Sequence, residues 1–589
     1  MNIIRRNATT VLHLVIISVL GMLIYSNTLT ASFQFDDKLN IVDNPLIRDL
    51  RNLWPPSGAR WFGFFTFSLN YAFGGLNPVG YHLVNLSIHI LAALSVYLFV
   101  LLTFRTPYFA NHTFTIEPKG WFAFACALLF VAHPIQTQAV TYVVQRFASL
   151  AAMLFMLSLD AYILARLIGT SENRAGAGSR FHAVWIRMFL YTAAGLAALL
   201  GMKTKENAWT LPVMVCLYDV MFISSLSGLR QLIRKQWRAV AAIASLAAFF
   251  LVFVINKYGL HDLLDRLKAT NEITRHDYLI TQFRVIATYL RLLFFPVNQT
   301  IDYHYKVYSN ALDPEIITSA ALIALILAAA LYLCKFSRHS SPYVRLVSFG
   351  IFWFFITLSI ESGFIPIIDV IFEHRLYLPS VGVFIAITSL SVLLLERMVL
   401  YRTNSCRYAA GMFAIVILVL SCASYARNGV WKTELSLWSD VIDKRPENPR
   451  GYNMVGSYYQ ANFRIYDAIG YFRKALAVDS SYAEARSNLG NAYIQIGRLD
   501  EGLNELMITA GSNRFDAIDT GILYYNIGKA YYAKDMPDLA IQYLNQALRF
   551  IPNEAAVFFL LGEASKRKNL PEQASVYLKK AHELDPLKY

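Results

Sequence analysis

Cysteine is scarce in this sequence and poorly placed for either of its usual structural roles. The 589 residues include five: Cys126, Cys216, Cys334, Cys406 and Cys422. All lie within or beside apolar runs, and none has metal-site spacing. Beyond Cys422 there is none, so a disulfide framework is excluded for the C-terminal region. Acidic residues are also short, 39 against 53 Lys and Arg, leaving a net charge of +14. In a soluble chain that excess suggests nucleic acid. Here much of it sits in short loops between apolar runs, where Lys and Arg set membrane orientation, so no nucleic-acid partner is expected. The N-terminus lacks a short signal-type apolar core with a small-x-small cleavage site. Instead Arg5 and Arg6 precede a run from Val11 to Thr30, read as an uncleaved first span.

Apolar residues make up 56% of the chain and the mean hydropathy is +0.41. That is too apolar for an ordinary soluble protein and implies several membrane spans. Apolar runs recur up to about residue 425; beyond it the chain is polar, Tyr-rich and helical in pattern. The expected architecture is all-α, with about eleven spans followed by a soluble α-solenoid. The expected domains are a transmembrane domain over 1–425 with an outer loop at 31–80, a linker or first helix over 426–445, and repeats over 446–589. The expected spans are 11–30, 81–104, 120–133, 138–168, 187–201, 208–223, 239–257, 313–335, 346–361, 376–396 and 407–425.

Arg5 and Arg6 place the N-terminus in the cytoplasm. Alternation then puts loops 105–119, 166–187, 224–238, 335–345 and 397–407 on the same side, and all five are basic. Residues 278–296 are apolar enough to cross but carry Arg284 and Arg291, seven apart and so on one helix face. Crossing there would turn the later basic loops outward, so this segment is expected to lie at the outer surface. The C-terminal region is then also outside.

Gly456, Gly490, Gly528 and Gly562 recur at steps of 34, 38 and 34. Ala468, Gly502, Ala540 and Ala574 follow at a fixed offset, and Ala475, Thr509, Ala547 and Ala581 at a longer one. Small residues in this pattern let two helices pack closely, which resembles the TPR helix-turn-helix repeat. The third unit carries a four-residue insertion near 514–520. Stacked repeats make concave surfaces suited to peptides and proteins, so a partner platform is expected, with a passive cap as the bland alternative.

The polar clusters that interrupt the apolar pattern all fall on the outer side. They are Asp36-Asp37 with Asn44, His133-Pro134 through Thr137, Lys203 through Asn207 including Lys205 and Glu206, Asp302 through His304, Glu361, and Glu373-His374-Arg375 with Tyr377. Ionisable groups beside spans are expensive and usually functional. Singly, each has a plain structural reading. Asp36-Asp37 fits a solvated loop or helix cap, His133-Pro134 a helix end, the lysines snorkelling anchors, and Glu373-His374-Arg375 an ion-pair network. Together they supply a carboxylate base and cations for a phosphate leaving group.

Phe-x-Phe-Asp-Asp-x-x-x-Ile-x-x-Asn at 33–44, His-Pro-Ile-x-Thr-x-Ala-Val at 133–140, Lys-Glu-Asn-x-x-Thr-x-Pro at 205–212 and Arg-Leu-Tyr-Leu-Pro-Ser at 375–380, with the repeats behind them, resemble the transmembrane and TPR-containing O-mannosyltransferases and their bacterial relatives. These belong to the GT-C class of membrane glycosyltransferases. The resemblance implies a polyprenyl-phosphate sugar donor, a protein Ser or Thr acceptor, and inversion at the anomeric carbon. It implies that Asp36 or Asp37 is the base, with Asp37 favoured, and that the other orients the acceptor or holds Mg2+ or Mn2+. Arg375, His374, Lys203 and Lys205 are the phosphate candidates, with Arg146 and Arg284 behind them. His133, Glu206, Asn44, Glu373, Tyr377 and Asp302 are supporting candidates. Three departures point to a bacterial subgroup: the arginine of Glu-Arg-x-Leu-Tyr stands one place later at Arg375, Gln138 replaces a glutamate, and Gln145 precedes Arg146 where a glycine is usual. The expected setting is a bacterial inner membrane with site and repeats on the periplasmic face. The alternatives are transfer to a lipid or surface glycan, and a non-catalytic membrane-anchored scaffold.

Overall fold

The computed structural model describes the chain apart from residue 1, scattered positions between 111 and 118, and residues 173–176, 225–272, 338–340, 364–365, 368, 400–404, 512–516, 587 and 589. Every regular element among the described residues is a helix. The chain forms two compact units: Met1–Ile301 with Tyr305–Thr433, and Asp302–His304 with Glu434–Tyr589.

Among the described residues of the first unit, seven helices are long and apolar enough to cross a bilayer: Ala8–Thr28, Pro78–Thr103, Val143–Gly169, Phe181–Met202, Pro314–Phe336, Pro379–Met398 and Ser405–Val430. An eighth candidate crossing is a broken helix pair, Gly120–Ala132 followed by Pro134–Thr141 at an angle of 53°. This is a multi-pass membrane protein. Of the eleven expected spans, four are not among these seven helices. Residues 346–361 correspond to the 16-residue helix Tyr343–Leu358, shorter than a full crossing. Residues 208–223 are two short pieces, Leu211–Tyr218 and Asp219–Ile223. The segment 239–257 lies outside the described residues. Expected span 120–133 and the start of 138–168 form the broken helix pair.

Sequence explains the helix starts. Asn77 and Asp313 accept the N–H two residues on, and Pro78 and Pro314 occupy the first helical position, where no N–H is needed. The break at His133 follows from Pro134, which holds the preceding residue extended. Non-helical backbone is tolerated at such a place only if protein surrounds it, and every residue from 131 to 144 is buried. Helix Arg275–Phe294 is not among those apolar enough to cross. Its buried Tyr278 and Tyr289 hydroxyls instead donate to the carbonyls of Glu361 and Phe372, at 2.7 and 3.0 Å.

Small residues and hydroxyls bring the spans together. Ser424 donates to the Ala132 carbonyl at 2.6 Å, and Thr103 shares a hydrogen bond with Tyr218 at 2.9 Å. Gly350 and Gly382 face each other across helices Tyr343–Leu358 and Pro379–Val399. A Cβ on Gly382 would overlap the Gly350 carbonyl and lie 2.7 Å from Trp353 Cβ.

The second unit holds helix Glu434–Lys444 and four helix pairs: Pro449–Ala461 with Ile465–Val478, Ala483–Gln495 with Leu499–Ala510, Ala517–Ala533 with Pro537–Phe550, and Ala555–Arg567 with Pro571–Leu584. The recurrent glycines have one physical cause. A Cβ on Gly456, Gly490, Gly528 or Gly562 would meet Phe472, Leu506, Leu544 or Leu578, each sixteen residues on, in the second helix of its pair. The insertion in the third unit lies outside the described residues up to position 516.

Gly382→Val is expected to lower thermal stability in detergent by the equivalent of about 1–3 kcal/mol, the usual cost of overpacking. Gly411→Ala, with nothing within 4 Å of its added Cβ, should leave the melting temperature unchanged.

Candidate active site

The loop after the first apolar helix turns back on itself at the aspartate pair. Phe35 has a φ of +47°, uncommon for a residue with a side chain. It lies inside a tight turn in which the Asp37 N–H donates to the Gln34 carbonyl at 2.9 Å. The Asp37 carboxylate closes the same turn from the other side. One oxygen accepts the Gln34 N–H at 2.9 Å, and the other accepts the Val144 N–H at 2.6 Å. Asp37 is 1% exposed. Burial pushes its acidity constant up to about 7, although the backbone donors pull the other way.

Asp36 is placed differently. Its side chain is half-buried, and its N–H donates to the Tyr142 hydroxyl at 2.9 Å. Its carbonyl accepts from the Asn40 side chain at 2.9 Å, and the Asn40 carbonyl accepts from the Asn44 side chain at 3.0 Å. Asn44 Oδ1 also accepts the Leu46 N–H, capping the turn at Pro45–Arg48. Asn44 therefore shapes the loop behind the aspartates.

The basic residues gather around a second turn. Lys205 is buried and pairs with Glu361 at 2.5 Å. Burial lowers its basicity, and Glu361 offsets that only partly. Arg60 reaches Glu206 at 3.5 Å; burial tends to raise the Glu206 acidity constant, but Arg60 holds it below the ordinary range. Arg375 is buried and donates to the carbonyls of Val370 and Asp369 at 3.0 and 2.7 Å. Burial alone would weaken it as a base, yet Tyr289, Tyr278 and Glu361 hold it above its ordinary value. His374 stacks on Phe372 with ring centres 5.1 Å apart. Burial and the charges of Lys205, Arg375 and Arg60 push its basicity well below the ordinary range, so the ring is neutral. Its Nδ1 has no hydrogen-bond partner among the described residues. Lys203 is exposed, and its carbonyl receives the N–H of Phe62, in helix Trp61–Gly74.

One short segment touches both groups. The Gln138 side chain accepts the His374 N–H at 2.7 Å, and Tyr142, four residues later, receives the Asp36 N–H. Residues 137–141 are helical, so those two positions are about 6 Å apart along the axis at the ordinary rise per residue.

Other expected site residues have structural partners. His133 accepts the Ile135 N–H at Nδ1 and donates from Nε2 to the Leu293 carbonyl, each at 3.1 Å. Arg146 is fully buried and donates to Asn85 Oδ1 at 2.6 Å, the Thr66 carbonyl at 3.2 Å and the Tyr81 carbonyl at 3.0 Å, with Phe67 against its face. Glu373 accepts from the Gln299 side chain and the Thr300 N–H, at 2.8 and 3.0 Å. Tyr377 is buried, and its hydroxyl hydrogen-bonds His89 at 2.7 Å. Arg284 pairs with Glu315 at 3.0 Å. Asp302 belongs to the second unit, where Arg450 approaches it at 3.4 Å.

Two residues escaped the sequence reading. Tyr142 sits in an unremarked apolar stretch and carried no signal. Arg60 had one: it caps the N-terminus of helix Trp61–Gly74, where the helix dipole disfavours a cation. Among the described residues no three His, Cys, Asp or Glu side chains are grouped to hold a metal ion. The Asp37 oxygens already serve backbone donors, so the pair does not fit the expected Mg2+ or Mn2+, and no step is derived through one.

A tetratricopeptide repeat family model matches residues 522–554. The chain is 26% identical over 498 residues to the Caenorhabditis elegans protein O-mannosyl-transferase F38B6.6, covering 80% of this chain and 63% of that protein. It is 24% identical over 614 residues to human protein O-mannosyl-transferase TMTC3, covering 95% and 63%. Human protein O-mannosyl-transferase TMTC2 is 32% identical over a shorter stretch of 220 residues, 34% of this chain and 23% of that protein. The chain is thus related to the TMTC-type O-mannosyltransferases, and it spans less than two thirds of the length of these relatives. Among solved structures, a crystal structure of MamA is 25% identical over 26% of this chain and 82% of that one, with a TM-score of 0.23.

A carboxyl whose acidity constant is raised by folding binds its proton more tightly in the folded state. Its contribution to stability is therefore greatest below the ordinary carboxyl range and declines as the pH rises towards about 7. Thermal unfolding in detergent between pH 4 and 8 should show this decline in the wild type. In Asp37→Asn that part of the slope should be missing; an identical slope would contradict the burial argument.

Proposed function

We propose that this chain is a membrane glycosyltransferase that moves a sugar from a polyprenyl-phosphate donor to Ser or Thr hydroxyls of exported proteins. The observation that carries the reading is the unequal state of the two aspartates. Asp37 is sealed in and bound through both oxygens, whereas Asp36 is half-buried on the same turn. Asp36 is then the base, in place of the Asp37 expected from sequence, and Asp37 shapes the turn that presents it.

In this scheme an Asp36 oxygen takes the proton of the acceptor hydroxyl while that hydroxyl oxygen attacks the anomeric carbon. The bond from anomeric carbon to phosphate oxygen breaks, and its electron pair leaves on the phosphate. A single displacement inverts the anomeric centre. The leaving phosphate needs charge neutralisation more than a proton. Lys205, Arg375 and Arg60 supply it, with exposed Lys203 at the margin and neutral His374 as a hydrogen-bonding ring. Arg146 is set aside as a phosphate ligand because its guanidinium is committed to Asn85, Thr66 and Tyr81. The basic loops favour a cytoplasmic N-terminus and an outward, periplasmic site in a bacterial inner membrane. The helix pairs of the second unit, with their small-residue seams, suit engagement of the acceptor chain.

The test pairs single substitutions in a deletion strain with glycoproteomics of exported proteins. Asp36→Asn should lose transfer by about a hundredfold or more, the usual range for a missing general base, with membrane insertion and melting temperature retained. Asp37→Asn should retain measurable transfer. Full transfer by Asp36→Asn would remove Asp36 as base, and an unchanged glycoproteome in the deletion strain would refute protein glycosylation.

A further inference from the structure

We propose that Trp431, just beyond the last span, is a positioning residue for the Asp36 carboxylate and acts through Tyr142. The inference rests on the reading of Asp36 as base. It starts from a geometric need. Asp36 stands in an irregular loop, and its fixed neighbours are Tyr142, whose hydroxyl receives the Asp36 N–H at 2.9 Å, and Asn40, which holds its carbonyl. The same phenol also hydrogen-bonds the Asp36 carboxylate. One hydroxyl therefore holds both the backbone and the side chain of the base.

A phenol hydroxyl is only as well placed as its ring. The Tyr142 ring stacks on the Trp431 indole with centres 5.2 Å apart and planes 26° apart. Both residues are 1% exposed. The Phe35 ring lies on Tyr142 at 6.4 Å, but it belongs to the loop being positioned and cannot serve as its reference.

Trp431 is itself fixed from several sides. Its N–H donates to the Asn428 carbonyl at 3.1 Å. The Asn428 side chain donates to the Ile24 carbonyl at 2.9 Å and accepts from Thr141, the residue before Tyr142, at 3.0 Å. On the loop side, the Trp431 carbonyl accepts from the Gln34 side chain at 3.5 Å, and the Lys432 carbonyl accepts the Ser32 N–H at 3.2 Å. The end of the last span thus grips both the strand leading into Asp36 and the corner that carries Tyr142. Unlike Trp353, whose Nε1 donates to the Leu378 carbonyl at 2.9 Å, Trp431 Nε1 has no hydrogen-bond partner among the described residues. What Trp431 offers Tyr142 is its ring face, and another aromatic ring can replace that.

The test uses the full-length protein in detergent or nanodiscs, with variants Trp431→Leu, Trp431→Phe, Tyr142→Phe, Tyr142→Phe/Trp431→Leu and Asp36→Asn. Two readouts are needed: steady-state transfer from a polyprenyl-phosphate sugar to a Ser/Thr peptide, and hydrogen exchange of the peptide containing the Asp36 amide. Trp431→Leu should lower kcat by about ten- to a hundredfold, the scale of a misplaced catalytic group, with donor KM unchanged and Asp36 amide exchange accelerated. Trp431→Phe should restore most of both. The double variant should lose no more than Tyr142→Phe alone, because Trp431 acts only through that hydroxyl. Unchanged exchange in Trp431→Leu, faster exchange with wild-type kcat, or multiplying losses in the double variant would each overturn the proposal. Full transfer by Asp36→Asn would instead sink the base assignment, and exchange would still report whether Trp431 orders the loop.

Discussion

The loop that carries the aspartate pair depends on one buried carboxylate. Asp37 accepts the Gln34 N–H with one oxygen and the Val144 N–H with the other. The first contact closes a turn within the loop. The second fastens that turn to the first residues of a span more than a hundred positions away. Burying a carboxyl in this way costs free energy, and backbone donors offset part of it. The result is a loop with no regular structure of its own that is nevertheless fixed to the membrane helices.

The charge around the second turn follows from the same low-dielectric setting. Lys205 and Arg375 are buried, and both lie within the influence of Glu361. Glu361 moderates them without cancelling them, since Arg60 adds a further cation opposite Glu206. Burial first, and the neighbouring cations second, push the basicity of His374 well below the ordinary range. An anion placed there would meet charges that are already desolvated and oriented, which is where electrostatic stabilisation is strongest.

Buried polar groups elsewhere in this unit show how much of each motif holds the backbone in place. His133 satisfies a donor and an acceptor of the backbone around a helix break, and Asn44 caps a turn. Glu373 is taken up by Gln299 and Thr300, and Tyr377 by His89. All these residues fall in the same motifs as the reactive candidates. A motif records a place where the chain must be held in an unusual shape, and the residues that hold it greatly outnumber those that face a substrate.

Much was determined by the sequence alone. Composition and long apolar runs required a multi-pass helical membrane protein, because only helices satisfy their own backbone in lipid over such lengths. The glycine and alanine spacing required stacked helix pairs, since each glycine makes room for a side chain sixteen residues on. The acidic pair and the basic clusters were also legible, as charges set beside spans. Tertiary structure decided how each charge is used. Asp36 and Asp37 are adjacent and chemically identical in the sequence, and only the Val144 N–H, brought from a distant corner, separates the sealed one from the half-buried one. Arg146 looked like the other arginines until its guanidinium was found enclosed by neutral acceptors from two other helices. Tyr142 and Trp431, 289 positions apart, meet through tertiary packing at the end of the helix Ser405–Val430. Burial and partnership across such separations are set by packing, which local spacing does not encode.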